Sequence, residues 1–214
     1  MNSRPQHAAR GVLLERASVA WMAIEAALAI GAGVAARSVL LTTFGFDSLL
    51  ELLSAALLAW RLSREAHGAD MESLERIEIR ATRLSAGLLV ALCIYVVVAT
   101  SAAGLVARVE PEASLLGLGV AAAAIVVMPT LAHGKRVVNR VLKSAALRAD
   151  IAETRVCAYM AGTVVSGVAL NRVAGWWWAE YVAAAGLLFW LVRETIEAVE
   201  AAREGRAHVC CNDD

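Results

Sequence analysis

The chain has 214 residues, 59% of them hydrophobic and 19% charged, with twenty Lys and Arg against twenty Asp and Glu. A soluble domain holds about 45–50% apolar and about 25% charged residues, which excludes an ordinary globular enzyme; disorder is excluded too, since it needs low hydrophobicity and high net charge. Zero net charge leaves no general basic field for nucleic acid, and four cysteines in this length are not a disulfide framework.

The composition points to an all-α integral membrane protein. A helix needs about 20 mostly apolar residues to cross about 30 Å of hydrocarbon, and six segments read as spans. In chain order they are Ala17–Ala36, interrupted by Glu25; Ser38–Trp60, interrupted by Asp47 and Glu51; Leu84–Ala107 and Ala113–Gly134, free of charge; Ala145–Asn171; and Trp176–Val192. Residues 1–16 then form a cytoplasmic N-terminal segment, and 193–214 a short cytoplasmic helix with a Cys/Asp tail. A cleavable signal peptide ending near Ala35-Ala36 is the alternative for the first span, but that run is too long and carries Glu25. Between the second and third spans, Arg61–Arg83 is amphipathic and places Glu72 and Arg76 at helical spacing, so it extends the helices beyond the membrane.

Lys and Arg set the orientation. From the N-terminal segment through the five loops to the tail they number three, one, five, one, five, one and three, with only Arg155 left over. Both termini and the two long loops therefore face the cytoplasm. Trp176, Trp177 and Trp178 fall at the outer end of the sixth span, where amphipathic rings favour the interface.

Acids inside a bilayer cost at least about 2.5–3.5 kcal/mol each and are functional candidates by default. Counting a rise of 1.5 Å per residue from the cytoplasmic helix ends puts Glu51 about 16 Å deep and Asp47 about 22 Å deep. The same count puts Glu153 about 15 Å, Cys157 about 21 Å and Glu25 about 14 Å deep. Asp47/Glu51 and Glu153/Cys157 are each spaced i,i+4, so each pair shares one helix face. If the second and fifth helices touch, three carboxylates and a thiol form a four-ligand cluster near mid-membrane. Asp150 shares that face one turn nearer the cytoplasm, and Glu25 adds an oxygen from the first helix. Such donors suit a divalent first-row ion, and Zn²⁺ accepts both O and S.

Each acid also has a structural reading, as a protonated group hydrogen-bonded between helices. That reading is weightiest for Asp150 and Glu25 and weakest for the Asp47/Glu51 pair. Cys157 alone would be a small buried hydrophobe, and Cys93 reads as packing. Arg155 points away from Glu153 and neutralises either Glu25 or a lipid phosphate. Pro129 should kink the fourth span or free a carbonyl, in the service of gating or of packing. His133 reads as interfacial, and Gly117, Gly119 and Ala121–Ala124 suit close helix packing. The tail His208-x-Cys210-Cys211-x-Asp213-Asp214 is either a weak metal-capturing tail or an unstructured end. A phosphate loop, a nucleophile elbow and a helical H-E-x-x-H are all missing, so an enzyme is not expected.

The six-span pattern and the segments Ser38–Glu51 (SVLLTTFGFDSLLE) and Ala149–Cys157 (ADIAETRVC) resemble the transmembrane domain of the cation diffusion facilitator family. Gly175–Glu180 (GWWWAE) resembles the start of that family's sixth helix, which usually has Asp-Pro where Glu180-Tyr181 stands. The resemblance covers roughly residues 15–200 and maps the transport site onto Asp47, Glu51, Glu153 and Cys157. Glu153 stands where the family has His, and Cys157 where it has Asp. The family's cytoplasmic metal-binding domain is missing, since only about twenty residues follow the last span. The resemblance implies a homodimeric transporter in a bacterial inner membrane, exporting Zn²⁺ or a similar ion in exchange for protons and carrying no resident cofactor. A non-transporting metal sensor or partner-binding subunit on the same scaffold is the alternative.

Overall fold

A computed structural model of the chain describes residues 3–66, 71–142 and 145–204. Among them the fold is entirely helical: α1 Ser3–Ala35, α2 Val39–Ala66, α3 Met71–Thr100 continued by a π-helical segment Ser101–Val106, α4 Leu115–Leu142, α5 Ala145–Ala174 and α6 Trp178–Glu204. The expected helical extensions between the second and third spans are present, since α2 runs to Ala66 and α3 starts at Met71. The tail residues His208, Cys210 and Cys211 lie outside the described residues.

Local chemistry sets the helix ends. After α1, Arg37 takes a left-handed conformation (φ 53°), while Ser38 N–H bonds Gly33 O at 2.9 Å and Arg37 N–H bonds Val34 O at 3.3 Å. That pattern satisfies the last carbonyls of the helix. Ser38 then caps α2, its Oγ accepting from Leu41 N–H at 3.2 Å. Ser114 does the same for α4, accepting from Gly117 N–H at 3.1 Å. Gly175 (φ 68°) closes α5.

Five helices contain stretches long and apolar enough to cross a membrane: Arg10–Ala35, Val39–Leu57, Ala86–Val106, Leu115–Val141 and Glu153–Ala174. Large apolar side chains such as Leu84, Ile94, Val98, Leu116 and Val126 stand exposed along their outer faces, as lipid contact requires. The chain is a helical membrane protein. The expected sixth span is not among the five. Between Glu180 and Arg193 its uncharged run is Tyr181–Val192, twelve residues, which rise only about 18 Å.

α2 is the hub of the bundle. It packs on α1, α3, α5 and α6, while α4 joins α1 to α5 and α6 joins α3 to α5. The condition for the expected cluster, contact between the second and fifth helices, is met. A main cluster built around Met22, Leu40, Leu41, Phe44, Met128, Met160 and Leu187 fills the centre. Pro129 and Arg155 are both exposed, so neither faces this interior.

α1 and α2 meet through glycine. A Cβ at Gly45 would lie 2.6 Å from Ile30 Cγ1 and 2.7 Å from Ile30 N, whereas Gly31 has open space around it. Gly45→Val should therefore destabilise the protein by about 1–3 kcal/mol through overpacking, and Gly31→Val should do far less. Thermal unfolding of both variants in detergent checks this.

Candidate functional site

The centre of the bundle holds acids from three helices. Asp47 and Glu51 on α2 are 2% and 7% exposed, and Glu25 on α1 is completely buried. Glu25 is the best-satisfied of the three. Its Oε1 accepts from Ser48 Oγ at 2.8 Å and from the Cys157 thiol at 3.7 Å, and its Oε2 accepts from Trp21 Nε1. One carboxylate thereby joins α1, α2 and α5. Cys157, itself completely buried, also lies within hydrogen-bonding reach of Glu51.

Asp47 and Glu51 differ in kind. Asp47 Oδ2 and Glu51 Oε2 are buried and have no hydrogen-bond partner. An unpaired buried polar group costs about 1–3 kcal/mol, and a charged one more. These two oxygens are a cost that the fold carries without a structural return. The i,i+4 spacing places both on the inward face of α2, as expected.

Glu153 on α5 is half-buried and interacts electrostatically with Asp47 and Glu51. Glu194 on α6 acts on all three of these acids. Sequence reading missed Glu194 because it follows Arg193 and looked like part of a solvated tail. The signal was available: Glu194 falls where α6 must still pack against α3. There Thr195 Oγ1 lies 3.3 Å from Cys93 Sγ, which gives Cys93 a polar contact as well as a packing role.

The acids approach one another without closing on a point. Among the described residues, no three His, Cys, Asp or Glu side chains stand close enough to hold one ion. Asp150 departs from its expected place in the cluster. It accepts a hydrogen bond from the completely buried Lys135 of α4, whose Nζ is also 3.2 Å from Glu15 Oε2 of α1. Lys135 had been counted among the basic residues of a loop, and Glu15 as part of the N-terminal segment. His133, two residues before Lys135 and so on the opposite side of α4, is exposed.

Glu180 is a further buried carboxylate, at the opposite end of the bundle. It accepts from Ser38 Oγ and, at 2.6 Å, from Asn171 Nδ2, which also lies 2.9 Å from Pro111 O. Its neighbour Tyr181 donates to Val109 O at 2.7 Å. Glu180 is thus a clasp for α2, α5 and α6. No protein-family model matches the chain, and no curated protein matches it significantly.

The two kinds of carboxylate predict different responses to an isosteric amide. Asp47→Asn puts an amide of the same shape where the carboxyl oxygen Oδ2 has no partner to lose, and should leave the unfolding midpoint nearly unchanged. Glu180→Gln keeps one acceptor oxygen but sets its NH2 against the other of the two donors, and should cost about 1–3 kcal/mol. Thermal unfolding in detergent at pH 7.5–8 measures both.

Proposed function

We propose that the chain is a transporter of divalent metal cations, with Zn²⁺ or a similar ion as substrate, exported in exchange for protons. The observation that carries this reading is the pair of buried, unpartnered oxygens Asp47 Oδ2 and Glu51 Oε2 on the hub helix. Glu25 and Cys157 stand directly beside them. Intramembrane acids left without partners mark ion pathways and proton relays. Asp47, Glu51, Glu153 and Cys157 are the proposed ligands, with Glu25 orienting the thiol and lending an oxygen. Asp150 is not among them.

A carrier gathers its ligands around the ion and disperses them to release it, which accords with acids that approach without closing. Protons compete with metal for the same carboxylates, so the empty site returns protonated and exchange follows. In this reading α6 completes a six-span bundle despite its short apolar run, because Glu180 at its outer end is hydrogen-bonded inside the protein rather than left to lipid. The termini face the cytoplasm, as the Lys and Arg distribution requires, and the carrier works as a homodimer. Cysteines introduced at Arg108 and Arg140 in a cysteine-free background should label from outside and inside respectively. Labelling from one side only would overturn the topology.

Proteoliposomes carrying the protein should take up Zn²⁺ against a proton gradient, and Asp47→Asn should abolish uptake with expression intact. A protein that binds Zn²⁺ without moving it would be the sensor instead. Thiolate is a softer ligand than carboxylate or hydroxyl, so Cys157→Ser should weaken Zn²⁺ uptake more than Mn²⁺ uptake. Equal loss for both ions would mean that carboxylates alone hold the metal.

A further inference from the structure

Below the central acids, at the end where α4 stops and α5 starts, lies a second set of buried charges. Lys135 of α4 is completely buried, Glu15 of α1 is 2% exposed and Asp150 of α5 is 5% exposed. The ammonium donates to Asp150 Oδ2 and stands 3.2 Å from Glu15 Oε2. Neither Glu15 oxygen has a hydrogen-bond partner, and nor does the buried Ser18 Oγ one turn along α1. Ala132, Val138, Leu147 and Ile151, with Leu14 against them, form an apolar cluster on the same stretches of α1, α4 and α5. Water has no easy entry there.

Glu153 connects this set to the central one, because it interacts electrostatically with Asp150, Lys135 and Glu15 as well as with Glu194. From Asp150 to Cys157 the rise along α5 is about 10 Å. Acids therefore line α5 from its inner end to mid-membrane, and one fixed cation sits at the entrance.

We propose that Lys135 is an ionic latch, a tethered cation that pins α1 and α5 to α4 and closes the inner approach to the central site. The ammonium occupies the first carboxylates an incoming cation would meet, and the longer Glu15 contact, which is no hydrogen bond, is the one that parts more easily than the Asp150 one. Removing one partner of a buried pair leaves an uncompensated charge and strongly favours opening. The latch deepens the transport reading, yet its test needs no transport.

The native Cys157 thiol is the probe, with the other three cysteines changed to serine. Inside-out vesicles are treated with a small, charged, membrane-impermeant methanethiosulfonate, and the rate of Cys157 modification is measured. The parent should react slowly, and Lys135→Met should react roughly tenfold faster or more. Lys135→Arg should stay slow, and the exchange Lys135→Asp with Asp150→Lys should restore slow reaction. Equal rates in folded parent and Lys135→Met protein would overturn the latch, as would a parent that already reacts fast. If neither Lys135→Met nor the charge exchange yields folded protein, the triad is a folding element and the latch fails. A rate difference in a protein that moves no metal would leave the latch standing and sink the transport reading instead.

Discussion

Hydrocarbon cannot solvate charge, and the architecture of this bundle follows from how each interior acid meets that constraint. At one end Glu180 is satisfied by hydroxyl and amide donors from Ser38, the cap of α2, and from α5. In the middle Glu25 takes three donors, from an indole, a hydroxyl and a thiol. At the other end Asp150 and Glu15 share the Lys135 ammonium. Asp47 and Glu51 each keep an oxygen with no partner at all, and Glu15 makes no hydrogen bond beyond its 3.2 Å approach to that ammonium. Neutral donors are the cheaper solution, because burying a second ion adds its own desolvation cost. The use of a buried ion at Lys135 is therefore informative, as are the oxygens left bare at Asp47 and Glu51.

α2 had to be the hub for this arrangement to exist. Its inward face carries Phe44, Ser48, Glu51 and Ala55 at helical spacing, all buried, with Asp47 beside them. Glycine at position 45 lets α1 approach until a side chain there would strike the Ile30 backbone. Close approach puts Ser48 within 2.8 Å of Glu25, and that contact in turn positions the Cys157 thiol. A small residue on one face thus fixes polar geometry on the next. Packing and chemistry are one problem here, since a looser α1–α2 contact would leave Glu25 without its Ser48 donor.

Much of this was legible in the sequence. Span counting found the helices, and i,i+4 spacing found the shared face of Asp47 and Glu51. Depth counting set Cys157 level with Asp47, and Glu25 level with Glu51 and Glu153; the bond from Cys157 to Glu25 runs between those two levels. What failed did so for a common reason: residues near helix ends were assigned to solvent by position. Lys135, Glu15 and Glu194 all sit within a turn or so of an expected span boundary, and the helices continue past those boundaries as packed protein. A one-dimensional hydropathy profile cannot distinguish a lysine at the membrane surface from one enclosed by three helices. The sixth span differs in the reverse direction: charges at both of its ends shorten its apolar run to Tyr181–Val192, so length and composition alone do not mark it as a span. Asp150 was placed on the correct face of α5, but its partner came from α4, and nothing along the chain announces that pairing.

The positions of the satisfied and unsatisfied acids also bear on movement. A site whose carboxylates were all neutralised by fixed donors would have no reason to take up a cation, and one with many bare carboxylates would not fold in lipid. The bundle lies between these limits. Glu25 is held by neutral donors and stays put, while Asp47 and Glu51 keep free lone pairs one helix face away. Glu153 lies between them and the Lys135 triad, and its charge interacts with both sets. A cation or proton arriving at Glu153 changes the field on Asp150 and Lys135 at one end and on Asp47 and Glu51 at the other. In the proposed carrier, occupancy at the centre and closure by Lys135 would then be coupled through Glu153. In a low-dielectric interior that coupling is stronger than in water at the same distance.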